Sequence, residues 1–262
     1  MLFFPPFLGG ALFSYSLYEW FVPFLSFCLV SSATYIFNDI CDRQRDAHHP
    51  VKKQRPIQSG AVSVSVAATL AGVMLVLGVI LGLSVSGQFC IIQLTYLLVS
   101  FAYSAWLKQQ PIIDLFCIST GFLLRLHAGG EAFGIIISEW LFLSVFLLAI
   151  FLSTGKRLCE KISLGQMAGE HRQSLSSYPM GLLDGIMYLT GGAVLVTYAM
   201  YVINRHALLF SVPIGCFVLL RYMFRVKSGL GGDPTESLLR DPWLFAAGLA
   251  WTVMVFFGIY RL

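Results

Sequence analysis

The sequence predicts an all-α, polytopic membrane protein, and three observations predict it. Apolar residues make up 57% of the 262 and charged residues only 11%, too little polar surface for a water-soluble domain. Apolar stretches long enough to cross a hydrocarbon core of about 30 Å as helices recur along the whole chain. Lys and Arg collect in alternate loops, as expected of segments kept on the cytoplasmic side.

Taken in order, the apolar stretches predict about nine transmembrane helices, at 3–18, 20–38, 61–83, 88–107, 112–130, 137–155, 181–202, 207–224 and 243–261. The first holds Pro5 and Pro6 and begins at Met1. Without a basic n-region or a small-residue cleavage site, it reads as a retained helix rather than a secretory signal. Cys28, Cys41, Cys90, Cys117, Cys159 and Cys216 are scattered without metal-ligand spacing and read as small apolar residues of packed helices. With a cytoplasmic N-terminus, one side carries Arg43, Arg45, Lys52, Lys53, Arg55, Lys108, Lys156, Arg157, Lys161, Arg172, Arg221, Arg225, Lys227 and Arg240; the other has Arg205 and Arg261. The net charge of +4 reflects that basic face. It calls for phosphate-bearing lipids or substrates and not for nucleic acid. No repeat or soluble linker divides the chain, so a single transmembrane domain is expected over 1–262.

The densest polar motif follows the second stretch: Asn38, Asp39, Asp42 and Asp46 in an NDxxDxxxD pattern. On a continuous helix Asn38, Asp42 and Asp46 fall in one stripe with Asp39 beside it. Crowded carboxylates need a cation, and oxygen-only ligands suit Mg²⁺ held jointly with substrate phosphates. The pattern reads as a metal-diphosphate clamp, with Asn38, Asp42 and Asp46 as metal ligands. The bland reading is a solvated helix end in which Asp42 and Asp46 pair with Arg43, Arg45 and Lys52. Downstream, Lys52, Lys53 and Arg55 lie in a Pro-limited loop, either as phosphate-binding cations or as topology markers. His48 and His49 are a weak metal signal without a third ligand.

A second polar set comprises Tyr103, Ser104, Lys108, Asp114 and Arg125. Asp114 and Arg125 share a helix face about 16 Å apart along the axis, which sets Arg125 deep in the membrane, where an arginine faces a partner or a polar cavity. Glu131 or Glu19 is the expected partner if the role is structural. Gly121, Gly129 and Gly130 read as close helix contacts. A third set is Lys156, Arg157 and Glu160, with Lys161, His171, Arg172 and Tyr178 following. Lys156 with Glu160 and Arg157 with Glu160 could be ordinary helical ion pairs; at the end of the sixth span the two cations also suit a phosphate. The segment Gly231–Pro242 reads as a structured connector that caps the next helix.

These motifs resemble the UbiA superfamily of intramembrane prenyltransferases: NDxxDxxxD at Asn38–Asp46, then Arg55-Pro56-Ile57, and about nine spans in a UbiA-like bundle. Members usually carry a second Asp-rich motif after the sixth helix, where this chain has Lys156-Arg157-x-x-Glu160. That departure, with Tyr103-Ser104-x-x-Leu107-Lys108, Asp114, the Gly121–Gly129 segment and Asp233 to Asp241, resembles the decaprenyl-phosphate phosphoribosyltransferase branch. The resemblance implies Mg²⁺-dependent transfer of 5-phosphoribose from phosphoribosyl pyrophosphate to a polyprenyl phosphate lipid, releasing pyrophosphate and serving the cell envelope. Asp39, Asp42, Lys156 and Arg157 are then the catalytic candidates, and Arg43, Arg55, Lys52, Tyr103, Lys108, Asp114, Arg125 and Glu160 the substrate-binding ones. The implied location is a bacterial-type inner membrane with the active site facing the cytoplasm, a homo-oligomer being open to such a chain. Members also carry a polar, basic segment ahead of the first helix; the expectation here is that either the true start lies upstream of Met1 or that contribution is missing. An aromatic prenyltransferase would use a prenyl diphosphate, against which the basic Lys156-Arg157 pair speaks. A transporter would leave the clustered carboxylates unexplained, and no inverted repeat is visible.

Overall fold

In a computed structural model the described residues are 1–47, 52–164, 175 and 177–260, and every regular element among them is helical. The helices are α1 (Phe4–Leu8), α2 (Leu17–Cys41), α3 (Arg43–Asp46), α4 (Val64–Val85), α5 (Gly87–Ala105), α6 (Ile113–Ala132), α7 (Glu139–Leu164), α8 (Leu182–Val202), α9 (Ser211–Lys227), α10 (Pro234–Arg240) and α11 (Pro242–Tyr260). Among the described residues six are long and apolar enough to cross a membrane: α2, α4, α5, α7 through Ser163, α8 and α11.

The expected nine is not reached on that measure. The stretch 3–18 forms only the five-residue α1 and then turns, with Gly10 at φ +74°. Pro5 and Pro6 suit a helix start, and Gly9-Gly10 ends the helix before it can lengthen. The other eight stretches are helices near their expected bounds. Two fall short as spans: α6 has 20 residues but includes Asp114, Arg125 and His127, and α9 has 17 residues ending in Arg221, Arg225 and Lys227.

The residues group into two compact units. The first holds 1–6, 12–117 and 124–136; the second holds 7–11, 118–123 and 137–262. In the first, α2, α4 and α5 pack on one another around Phe27, Val30, Phe89, Tyr96 and Leu97. Lipid removes the hydrophobic incentive for helices to associate, so small residues and polar side chains hold them. A side chain at Gly78 would strike Val30 at 2.7 Å. Ser26 Oγ donates to Gly78 O at 2.7 Å, and Gln93 Nε2 donates to Ser26 Oγ at 2.9 Å. Gly129 makes a close contact, but with the turn ahead of α1 and not with a helix: a Cβ there would meet the Leu2 backbone. Ser86 ends α4 and caps α5 by accepting from Phe89 N–H at 2.9 Å, closing a one-residue hairpin.

In the second unit α7 packs along α8, and α9 packs on α7 and α11. Phe151, Leu158, Tyr178, Met187, Val194, Leu219, Tyr222 and Leu244 fill its core.

Candidate active site

The acidic motif does not lie on one helix. α2 stops at Cys41, Asp42 is its C-cap at φ −89°, ψ 0°, and Asp46 closes the separate four-residue α3. Instead of a single stripe, the carboxyl and amide oxygens form two pairs, each converging on one cation. Lys108 Nζ donates to Asn38 Oδ1 at 3.2 Å and to Asp42 Oδ1 at 2.7 Å. Arg55 Nη1 donates to Asp39 Oδ1 at 2.6 Å and to Asp46 Oδ2 at 3.4 Å. The helix break follows from charge: three carboxylates at a helix C-terminus oppose the macrodipole, and turning at Asp42 lets separate cations reach each pair.

The loop that delivers Arg55 is pinned by Gln58 Nε2, which donates to Asp39 O at 3.2 Å. Lys108 comes from a short 3₁₀ turn, Leu107–Gln109, beyond α5. It is buried, as are Asp46 and Asp114, so these charges sit where pairing matters most. Asp114 lies in the first turn of α6, just past Ile112, whose φ of +69° is strained for a β-branched residue. Tyr103 is half-buried near the end of α5; Arg43 and Lys53 are exposed. His48, His49 and the side chains of Arg45 and Lys52 lie outside the described residues.

Arg125 donates to Tyr96 Oη at 2.6 Å and to Ser31 Oγ at 3.5 Å, with its guanidinium 5.1 Å from the Tyr96 ring centroid. The expected acidic partners are engaged elsewhere: Glu131 accepts from Ser86 Oγ at 2.8 Å, and Glu19 closes a capping box with Ser16. Tyr96 gives the guanidinium a neutral oxygen and a ring face without adding a second buried charge. Tyr96 and Ser31 were not singled out by the motifs. A signal existed, because Tyr96 precedes Tyr103, and Ser31 precedes Asn38, by two helical turns on the same face.

In the second unit, Arg157 is buried and donates to Glu160 Oε2 at 3.0 Å. Lys156 does not take Glu160 as its i+4 neighbour; its Nζ donates to Asp233 Oδ2 at 3.1 Å. Lys161 Nζ donates to Tyr178 O at 2.7 Å, while His171 and Arg172 lie outside the described residues. The connector caps the next helices as expected. Asp233 Oδ1 accepts from the N–H groups of Thr235 and Glu236, and Asp241 Oδ1 from Leu244 N–H. Burial acts to raise the Asp233 pKa, but hydrogen bonds from Glu236 N–H and Lys156 outweigh it and hold the carboxyl below its ordinary range. Asp241 is buried with Arg221 and Arg225 on its Oδ2 at 2.9 and 3.2 Å. Burial again opposes ionisation, yet hydrogen bonds from Arg221, Leu244 N–H and Arg225 bring its pKa down to about 2.

Among the described residues no three His, Cys, Asp or Glu side chains are grouped to hold a metal by themselves. The donors still fit Mg²⁺: two pairs of hard oxygens already converge on cations, and this ion usually takes one or two carboxylates with water and substrate phosphates completing its shell.

Comparison with known proteins identifies the class. Residues 3–247 match the model of the UbiA prenyltransferase family, and the chain belongs to that family. It is a membrane-embedded transferase of the UbiA type. Within the family it is similar to decaprenyl-phosphate phosphoribosyltransferases. The protein of that name from Mycolicibacterium smegmatis is 32% identical over 253 residues, covering 91% of this chain and 80% of that protein. The Corynebacterium glutamicum protein is 32% identical over 251 residues, covering 91% and 75%. A solved UbiA homolog from Archaeoglobus fulgidus, bound to GPP and Mg²⁺, matches with a TM-score of 0.74 at 20% identity over 100% of this chain and 95% of that one, which bears on the fold.

Proposed function

We propose that this transferase moves 5-phosphoribose from phosphoribosyl pyrophosphate to a polyprenyl phosphate of the decaprenyl type, with Mg²⁺ and with release of pyrophosphate. The observation that carries the reading is the basic set at the end of α7, Lys156 and Arg157, in a chain 32% identical to decaprenyl-phosphate phosphoribosyltransferases over 91% of its length. A cationic set suits a lipid that arrives as a phosphate nucleophile. An acidic one would suit a lipid that arrives with a metal-bound diphosphate.

When bound, Mg²⁺ supplies a Lewis acid and a template for the leaving diphosphate. Asn38 with Asp42, and Asp39 with Asp46, offer the oxygens to hold it. Lys108 and Arg55, which balance those oxygens, are suited to turn toward the diphosphate and stabilise charge growing on it. Arg43, Lys52, Tyr103 and Asp114 extend the substrate-binding set, and Arg125 shapes it through Tyr96. Lys156 and Arg157 hold phosphate oxygens, Arg157 kept in place by Glu160. A lipid phosphate oxygen forms the new bond to the anomeric carbon as the bond to the pyrophosphate oxygen breaks, and that electron pair leaves with pyrophosphate. The nucleophile is already ionised at neutral pH, so no general base is required. The distribution of Lys and Arg favours an inner-membrane protein with this chemistry on the cytoplasmic side.

The test is incubation of the detergent-purified protein with Mg²⁺, decaprenyl phosphate and phosphoribosyl pyrophosphate labelled in the ribose. Label is expected in the extracted lipid and is expected to be lost with EDTA. Label transfer only from a prenyl diphosphate to an aromatic acceptor would overturn the reading.

A further inference from the structure

We infer that Asp233 is a positioning residue: it fixes the Lys156 ammonium for a substrate phosphate, and the connector ahead of α10 is the strut that holds it there. The inference rests on the assignment of Lys156 to phosphate binding.

The two oxygens of Asp233 have separate tasks. Oδ1 is fixed by the Thr235 and Glu236 N–H groups at 3.1 and 3.2 Å, and Oδ2 meets Lys156 Nζ at 3.1 Å. The carboxylate is therefore oriented by a helix start before it meets the lysine, so little freedom is lost in forming the pair. The backbone beside it is pressed onto α7: a Cβ at Gly232 would lie 2.6 Å from Cys159 Cβ and 2.9 Å from Lys156 Cα. The buried Tyr222 hydroxyl lies 2.7 Å from Gly232 O and 3.2 Å from Leu152 O, tying the connector to the preceding turn of α7. Gly155 makes room for that ring, as a Cβ there would meet Tyr222 Oη at 2.7 Å. The side chains of Lys156 and Asp233 nevertheless remain 46% and 41% exposed, leaving one side of the ammonium open to a ligand.

Charge alone predicts the opposite of positioning. If Asp233 merely neutralised Lys156, removing its charge would strengthen binding of a polyanion. Asp233→Asn separates the two, because asparagine caps a helix as well as aspartate does but carries no charge.

The test measures binding of a short prenyl monophosphate, geranyl phosphate, by calorimetry to the full chain in detergent, with Mg²⁺ present. Lys156→Met is expected to weaken binding. Asp233→Asn is expected to weaken it about threefold to tenfold, and to add nothing on the Lys156→Met background, as coupled neighbours do. Tyr222→Phe, which loosens the strut and touches no charge, is expected to shift binding the same way by less. Equal or tighter binding in Asp233→Asn, an additive double variant, or no dependence on Lys156 would overturn the inference. If the binding pattern is as expected but no ribose label reaches decaprenyl phosphate, the positioning role stands and the proposed reaction falls.

Discussion

Two ion pairs, one in each unit, solve the same electrostatic problem with different degrees of enclosure. In the first, the Lys108 and Asp42 side chains are 8% and 16% exposed; in the second, the Lys156 and Asp233 side chains are close to half exposed. Pairs shut away from water are expensive to break because the survivor is left buried and uncompensated. Half-exposed pairs contribute little to stability. The first arrangement therefore behaves as tightly held structure and the second as a pair whose open side stays accessible to a ligand.

The sharpest way to break that contrast is Lys108→Met. It is expected to destabilise the protein by about 3 kcal/mol, read as a lower unfolding midpoint in detergent. Mg²⁺ is expected to raise the variant's midpoint more than the wild type's, since Asn38 and Asp42 then have no ammonium to surrender; an unchanged midpoint would mean the pair is not holding α2. Next comes Gly232→Ala, whose added Cβ must displace Cys159 or the α7 backbone, at about 1–3 kcal/mol. The control is Gly192→Ala in α8, where a Cβ meets nothing within 4 Å and a gain of about 0.5–1 kcal/mol is expected from helix propensity. A further effect concerns acid. Asp241 has a folded pKa of about 2, below an unfolded value of about 3.9. Its contribution to stability is complete above about pH 4 and is lost as pH falls toward 2. A titration of unfolding midpoint should fall through that window in wild type and be flatter in Asp241→Asn.

Helices were legible wherever an apolar run was long enough, which is why eight of the expected stretches recur as helices. The first failed because proline and paired glycines act on individual turns, while apolar content is an average over many. In the acidic motif the residue types were legible and the backbone was not: nothing in NDxxDxxxD says that α2 ends before Asp42. Partners were least legible. Spacing reports on neighbours within a helix, so Arg157 with Glu160 was within reach. Lys108 with Asp42 and Lys156 with Asp233 join residues 66 and 77 apart, and only tertiary packing brings them together.

The separation of Asp42 from Lys108 also sets a sequence of events in biosynthesis. As the chain emerges, α2 is complete while its acidic end still lacks compensating charge. Arg55 arrives first, 16 residues after Asp39; Lys108 follows only after α4 and α5 have been made and folded back at Ser86. The first unit reaches charge balance when that hairpin returns, so a nascent chain halted before residue 108 has made α2 without the Lys108 that later meets Asp42.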